Sequence, residues 1–363
     1  MLRNLRWMPL VAVLALAAGA CSDDGTSPGD PADFDPVATE QAVNDLQNRL
    51  NSDSDMMVSL GLASEGLGMQ MGASWVMPRE LDQAAAPFSA QFVRNYALAG
   101  SVADPVFPPE LLGTTFEWSL LEGHYVPTER AGAPVSGIRF VLYAIDPLTR
   151  TPTDPLVETG SLDLTDEGTA STTRLGIEAV SGSETLIDYF IELSYVILGE
   201  NDISVTVAAE GFISDGVDRL DFLLSQGATL LGSTETINMD VVYSLSLAGQ
   251  NVSVTVEMHG EFDFSGDNPI EAASIELRVQ NGTEFVDFEM TLDADNSLTG
   301  VIQYNGTTVV NITGTEADPV FTRADGEQLT LEEVTALVEL FDMIEDVFDV
   351  VEELFEPFGG FDF

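Results

Sequence analysis

From Thr114 onward the apolar positions recur with a period of two. Residues 251–264, NVSVTVEMHGEFDF, are the clearest run. Val252, Val254, Val256, Met258, Phe262 and Phe264 fall on one side, and Ser253, Thr255, Glu257, His259, Glu261 and Asp263 on the other. Strict alternation over such a length predicts a strand with one dry and one wet face. The pattern recurs in 273–280, in 284–292 and in 237–247, where Ile237, Met239, Val241, Tyr243, Leu245 and Leu247 are dry. Residues 186–198 are apolar on both faces at several positions, as a central strand would be. Turn signals separate the runs at Glu167-Gly168, 199–202, 249–251, Asn281-Gly282 and Asn305-Gly306. The two Asn-Gly pairs predict type I′ hairpins, whose central residues both need positive φ. Short connections and the absence of a helical period across 114–315 predict an antiparallel meander of roughly a dozen strands.

The period changes at both ends. In 35–113, Asp35-Pro36 reads as an N-cap followed by Pro at the first helical position, and Ala38, Ala42, Leu46 and Leu50 follow at helical spacing. A second, weaker helical segment is expected over 56–67, and 72–113 is Pro-rich and expected to be irregular, with one short helix near 79–85. Residues 316–363 are expected to form an amphipathic helix and tail. Thr330-Leu331-Glu332-Glu333 matches a capping box. Leu337, Val338, Phe341, Ile344, Phe348, Val351 and Phe355 make a broad apolar stripe flanked by acids, and Pro357 and Gly359 end it. The expected fold is therefore mainly β with flanking helices. It is a large antiparallel meander, curved into a half-barrel, with the C-terminal helix packed on its dry face as one domain. A sandwich or a closed barrel would also hide a dry face. A transmembrane barrel is the runner-up, since strand length, alternation and the terminal Phe363 fit it.

Charge narrows the chemistry. There are 61 acidic residues against 12 basic ones, a net charge of −49, and every one of the 12 is Arg. Without Lys there is no Schiff base, no lysine general base and no Walker phosphate lysine. So negative a chain repels nucleic acid and anionic membrane surfaces, so no nucleic-acid partner is expected. With 45% apolar residues it nonetheless has the means to build a core. A lysine-free acidic surface suits a salty medium.

Residues 1–20 stand apart. Arg3 and Arg6 precede an apolar run from Met8 to Leu16, then the small residues Ala18-Gly19-Ala20, then Cys21, the single cysteine of the chain. This is the layout of a signal peptide. It resembles the bacterial lipoprotein class, in which a small-residue box directly precedes a lipidated cysteine. The resemblance implies that Cys21 carries a diacylglycerol and palmitate-type acylation and becomes the first residue. Ala18 stands where that class favours Leu, and Ala18-Gly19-Ala20 also fits an ordinary secretory cut. In that class Asp directly after the cysteine retains the protein at the inner membrane, so by the same resemblance Ser22 implies the outer membrane of the cell envelope. Residues 21–34 then form the lipidated Cys and a flexible tether, and the mature charge becomes 10 − 61 = −51. With no second cysteine there is no internal disulfide. The order of elements, a curved meander covered by helices, also resembles periplasmic lipoprotein carriers, a likeness of fold alone.

The remaining motifs are weak. His124 and His259 lack zinc-site spacing, and G-x-S-x-G is absent. Asp293-Ala294-Asp295-Asn296-Ser297 has the oxygen spacing of a calcium loop, but Leu298 replaces its Gly and Tyr304 its bidentate Glu, so a hairpin turn is expected. Met56, Met57, Met69, Met71 and Met77 read as helix packing rather than copper ligands. The sequons at Asn251, Asn281, Asn305 and Asn311 read as turn and strand chemistry. No catalytic, metal or cofactor residue is singled out, and Cys21 is the only candidate site. The expected protein is a non-enzymatic, membrane-anchored lipoprotein that binds or carries an apolar, lipid-like ligand. The alternative is a structural or interaction lipoprotein of the envelope with a filled core, whose protein partner the sequence does not name.

Overall fold

The structure, a computed structural model, describes residues 106–337 apart from positions 170, 200–201, 215, 218, 232–235, 250, 264–269, 316–317, 331–332 and 336. The expected signal segment, Cys21, the expected tether and N-terminal helices, the methionine cluster and most of the expected C-terminal helix lie outside the described residues.

The strands are β1 (Thr114–Ser119), β2 (His124–Thr128), β3 (Gly137–Tyr143), β4 (Ile145–Asp146), β5 (Thr151–Pro152) and β6 (Glu158–Asp166). Then come β7 (Thr172–Ser181), β8 (Glu184–Ile197), β9 (Asp202–Ser214), β10 (Arg219–Leu231), β11 (Thr236–Leu247) and β12 (Val252–Asp263). The last are β13 (Ile270–Asn281), β14 (Glu284–Asp293), β15 (Ser297–Tyr304), β16 (Thr307–Thr315) and β17 (Asp318–Arg323). All but β4 and β5, which form a small hairpin of their own, join one 15-stranded sheet in the order β17 through β6, then β3, β1, β2. From β6 to β17 every strand pairs antiparallel with its sequence neighbour, as the short connections predict.

Two features differ from the expected meander. First, the sheet is mixed: β1 lies parallel to β3, with β2 outside it. The segment after β2 returns across the sheet, bringing Gly132 against the Arg139 side chain of β3. β3 itself is buried on both faces, with Arg139 its one half-buried residue. Second, the ladder does not stop at 315 but continues through β17 to Arg323. The sheet is also open. Its edges are β2 and β17, and each carries a proline, Pro127 and Pro319, which cannot donate to a further strand.

Dry-face residues line up across strands. Ala209, Leu224, Tyr243, Val256, Leu277, Phe288 and Ile302 form one row from β9 to β15, and all are buried. Each buried Leu, Val or Phe contributes about 1.5–3 kcal/mol by leaving water. At the β1–β3 end the core is aromatic. Phe116 stacks on Phe140 at 5.0 Å, and Tyr125 meets Phe140 edge-on at 5.1 Å. The Tyr125 hydroxyl donates to the Val141 carbonyl at 2.8 Å, so its polar tip is satisfied.

The turns follow their chemistry. Asn305 (φ 49°) and Gly306 (φ 76°) both take positive φ, as type I′ requires. At Asn281-Gly282 the turn sits one residue later. Gly282 alone of the pair is positive, at 65°, and Asn281 stays in the ladder opposite Glu284. The observed register sets Val279 opposite Val286, whereas a turn centred on the Asn-Gly pair would set it opposite Glu284.

The capping box is formed. The Thr330 N–H donates to Glu333 Oε2 at 2.7 Å, and the Glu333 N–H donates to Thr330 Oγ1 at 3.3 Å. Glu333 also pairs with Arg323 of β17 at 3.4 Å, and Leu337 enters the core. Among the described residues helical structure is confined to this turn, so they contain no flanking helices beyond it.

Candidate functional site

The wet face carries the charge. Three of its cations are each used twice. Arg174 lies 3.6 Å over the Phe190 ring and pairs with Glu167 and Glu192. Arg219 lies 3.7 Å over Phe212 and pairs with Asp221. Arg278 lies 4.9 Å over Phe285 and grips Asp287 with two bonds of 2.6 and 2.9 Å. Each guanidinium thus covers an outward phenyl ring and neutralises a neighbouring acid. Acids also face one another: the pairing register sets Glu257, Glu276 and Glu289 directly opposite one another. Like charges so placed destabilise a sheet.

The same face brings both sequence-flagged polar motifs into view. His259 Nδ1 lies 2.7 Å from Asp240 Oδ1, and Ser274 stands on the other side of His259 in the register. The row has the residue types of a hydrolytic triad but not its setting. The His259 and Asp240 side chains are 56% and 65% exposed. The strands on both sides use their N–H groups in the ladder, which leaves none for an oxyanion. His124 sits on the far edge strand, 3.3 Å from Glu122. Among the described residues no group of three or more His, Cys, Asp or Glu is placed to hold a metal. The calcium-like run is a hairpin turn. The Asn296 N–H donates to the Asp293 carbonyl at 2.9 Å, and the Ser297 N–H donates to Asp295 Oδ1 at 2.9 Å. Hydrogen bonds from the Ser297 side chain, then its backbone, hold the Asp295 carboxyl below its ordinary range.

The dry face holds a less obvious constellation. Along β10 the inward file is Leu220, Phe222, Leu224, Gln226, Ala228 and Leu230, one amide among apolar groups. Gln226 is 6% exposed and is the one buried side chain on that face, among the described residues, that ends in an amide, hydroxyl or acid other than a tyrosine. Its Nε2 donates to the Tyr243 hydroxyl on β11. Burial pushes the Tyr243 hydroxyl up to about 12, against the opposing effect of the Gln226 bond. Gln226 sits between two apolar clusters, the main core and a smaller one of Val205, Ala228, Leu230 and Ile237. Its row runs Leu193, Val207, Gln226, Val241, Met258, Ile275 and Met290. In this row Leu193, Val207, Met258 and Met290 are only half-buried, although the preceding row is closed from Ala209 onward. Alternation marks Gln226 as inward-facing, and a polar residue in an apolar file is the signal that identifies it. Its pairing with Tyr243 depends on inter-strand register and is not visible from either residue alone.

Cys21, the one site residue expected from the sequence, lies outside the described residues. Among those residues no helix is long and apolar enough to cross a membrane. No protein-family model, curated protein or solved structure matches the chain.

Proposed function

We propose that the protein is an exported lipoprotein, held to the envelope membrane through Cys21, that binds an apolar, lipid-like ligand on the dry face of its sheet without chemical turnover. The observation that carries this reading is the half-buried apolar band of Leu193, Val207, Met258 and Met290, with Ile203 and Met239 beside it. A sheet that served only as a scaffold would gain by closing these positions, since each half-exposed side chain forgoes part of its burial energy. The row runs from β8 to β14, about 29 Å at the usual strand spacing, with half-buried positions on β8, β9, β12 and β14 and Gln226, Val241 and Ile275 buried between them. The finer architecture belongs to the same proposal: a curved sheet whose dry face is covered by the C-terminal helix. The formed capping box, the Arg323–Glu333 tie and the burial of Leu337 support that placement.

An interaction lipoprotein is the second reading. The end of the β8–β9 hairpin favours it, since Val196, Ile197 and Leu198 are exposed on both sides of the strand. Native mass spectrometry of the full-length protein, purified from its own envelope, separates the two. A co-purifying lipid mass supports the binding protein. A ligand-free mass under the gentlest conditions overturns it.

A further inference from the structure

We propose that the C-terminal segment 338–355 is a salt-dependent lid: it closes as a helix over the half-buried band when its own acidic residues are screened, and it competes there with the ligand. The inference rests on the apolar-ligand reading and names the regulation of that same site. Its starting point is the described beginning of the segment. The cap of Thr330 and Glu333 is closed, and the Val334 N–H makes the first helical bond, to the Thr330 carbonyl at 3.0 Å. Arg323, which ties Glu333, stands in register with Val310 and Ile302, so the helix starts at the β17 end of a dry-face row. The neighbouring dry row, which carries the band, continues from Met290 through Gly300 and Ile312 to Phe321 on the same edge strand. Leu337, one helical turn beyond Glu333, is 6% exposed and belongs to the main core. The chain therefore enters this helix on the dry side of the sheet, beside the end of the band's row.

The sequence beyond Leu337 supplies both the occupant and the switch. Phe341, Ile344, Phe348, Val351 and Phe355 continue Leu337 at spacings of three and four, so a continued helix presents one apolar stripe. From 330 to 355 such a helix is about 39 Å long, which is about eight strand spacings. Laid across the strands from β17, it reaches past Met290 and Met258 to Val207 on β9. On the side opposite the stripe, Glu339, Asp342, Asp346, Asp349 and Glu353 also follow at spacings of three and four, a ladder of like charge. Residues 324–363 contain no Arg, Lys or His to relieve it. Each step of such a ladder opposes the helix, and Glu353 lies near the helix C-terminus, where negative charge is again unfavourable. Salt weakens these repulsions, since the screening length falls from about 30 Å at 0.01 M ionic strength to about 3 Å at 1 M. Burial of the stripe is not screened. The closed lid therefore gains on the open one as salt rises, and a ligand that needs the same band loses apparent affinity in proportion to the open fraction.

Equilibrium binding of a pyrene-labelled alkane by the full chain, across that range of sodium chloride, tests this. The wild type is expected to lose roughly fivefold to tenfold in affinity from low to high salt. Without a lid, salt leaves an apolar association unchanged or strengthens it. The double variant Asp342→Asn with Asp349→Asn breaks every step of the ladder and leaves the stripe intact. At low salt it should bind the probe as weakly as the wild type does at high salt, with little further salt dependence. Glu276→Gln relieves repulsion on the wet face of the sheet instead, and should keep the wild-type salt dependence. Three results overturn the inference and leave the apolar-ligand reading standing: wild-type affinity that is flat or rises with salt, a double variant that responds to salt as the wild type does, or loss of the response in Glu276→Gln. A wild type that binds the probe at no salt concentration overturns both.

Discussion

A chain without lysine has an unusual alkaline limit. Between about pH 9 and 12 the side chains that ordinarily titrate are Tyr and Lys, with free Cys just below. Here only the 7 tyrosines remain, apart from Cys21. Burial pushes Tyr243 from 10.0 up to about 12 and raises Tyr125 and Tyr189 well above the ordinary tyrosine value. A folded pKa raised above the unfolded value means stability that is complete below pH 10 and is lost as pH climbs towards the folded value. At pH 11 each of the three contributes a loss of about 1.4 kcal/mol, about 4 kcal/mol together. A domain of this kind has about 5–15 kcal/mol in total, so unfolding should begin near pH 11 and proceed steeply. Tyrosinate absorbance and far-ultraviolet circular dichroism, followed together against pH, check this. The buried phenols should ionise only as the strand signal disappears, and Tyr243→Phe should shift the transition to higher pH. Ionisation of all tyrosines near pH 10 with the strand signal intact would refute the burial argument.

Four further outcomes follow from local geometry. Gly211→Val should lower stability by about 3 kcal/mol, read from the urea midpoint. A Cβ there would lie 2.2 Å from the Asp188 carbonyl oxygen and 2.4 Å from Tyr189, at φ +150°. Glu276→Gln removes the middle of three facing carboxylates and should raise stability by about 0.5 kcal/mol at low salt, with the gain vanishing in high salt. Thr330→Ala should cost about 1 kcal/mol through loss of the cap, measured by thermal denaturation. Cys21→Ala should move the protein out of the membrane fraction, and retention in the membrane would contradict lipid anchorage.

The strands were legible where alternation was strict. The dry residues of β11 and β12, Ile237 to Leu247 and Val252 to Val256, lie where a period of two puts them. The capping box at Thr330 and Glu333 was legible too, because it is a contact three residues apart. Non-local choices were not legible. Nothing in the β1 sequence says that it pairs with β3 in parallel, since that depends on where the segment after β2 crosses. β17 was missed because Pro319 interrupts its pattern, which an edge position tolerates. The Asn281-Gly282 turn moved by one residue because apolar pairing across β13 and β14 outweighed local turn preference. The Arg-on-Phe contacts of the wet face arise between residues on different strands or across turns, so composition alone shows only a scarcity of cations.

The central claim is that the dry face of the sheet holds the ligand. Photo-cross-linking of the full-length protein with a lipid carrying a diazirine in its acyl chain, followed by peptide mass spectrometry, tests it most directly. The account predicts adducts on Val207, Met239, Met258 and Met290, which face inward and are half-buried. Adducts confined to wet-face residues such as Thr255 and Thr291, or no adducts at all, would contradict it.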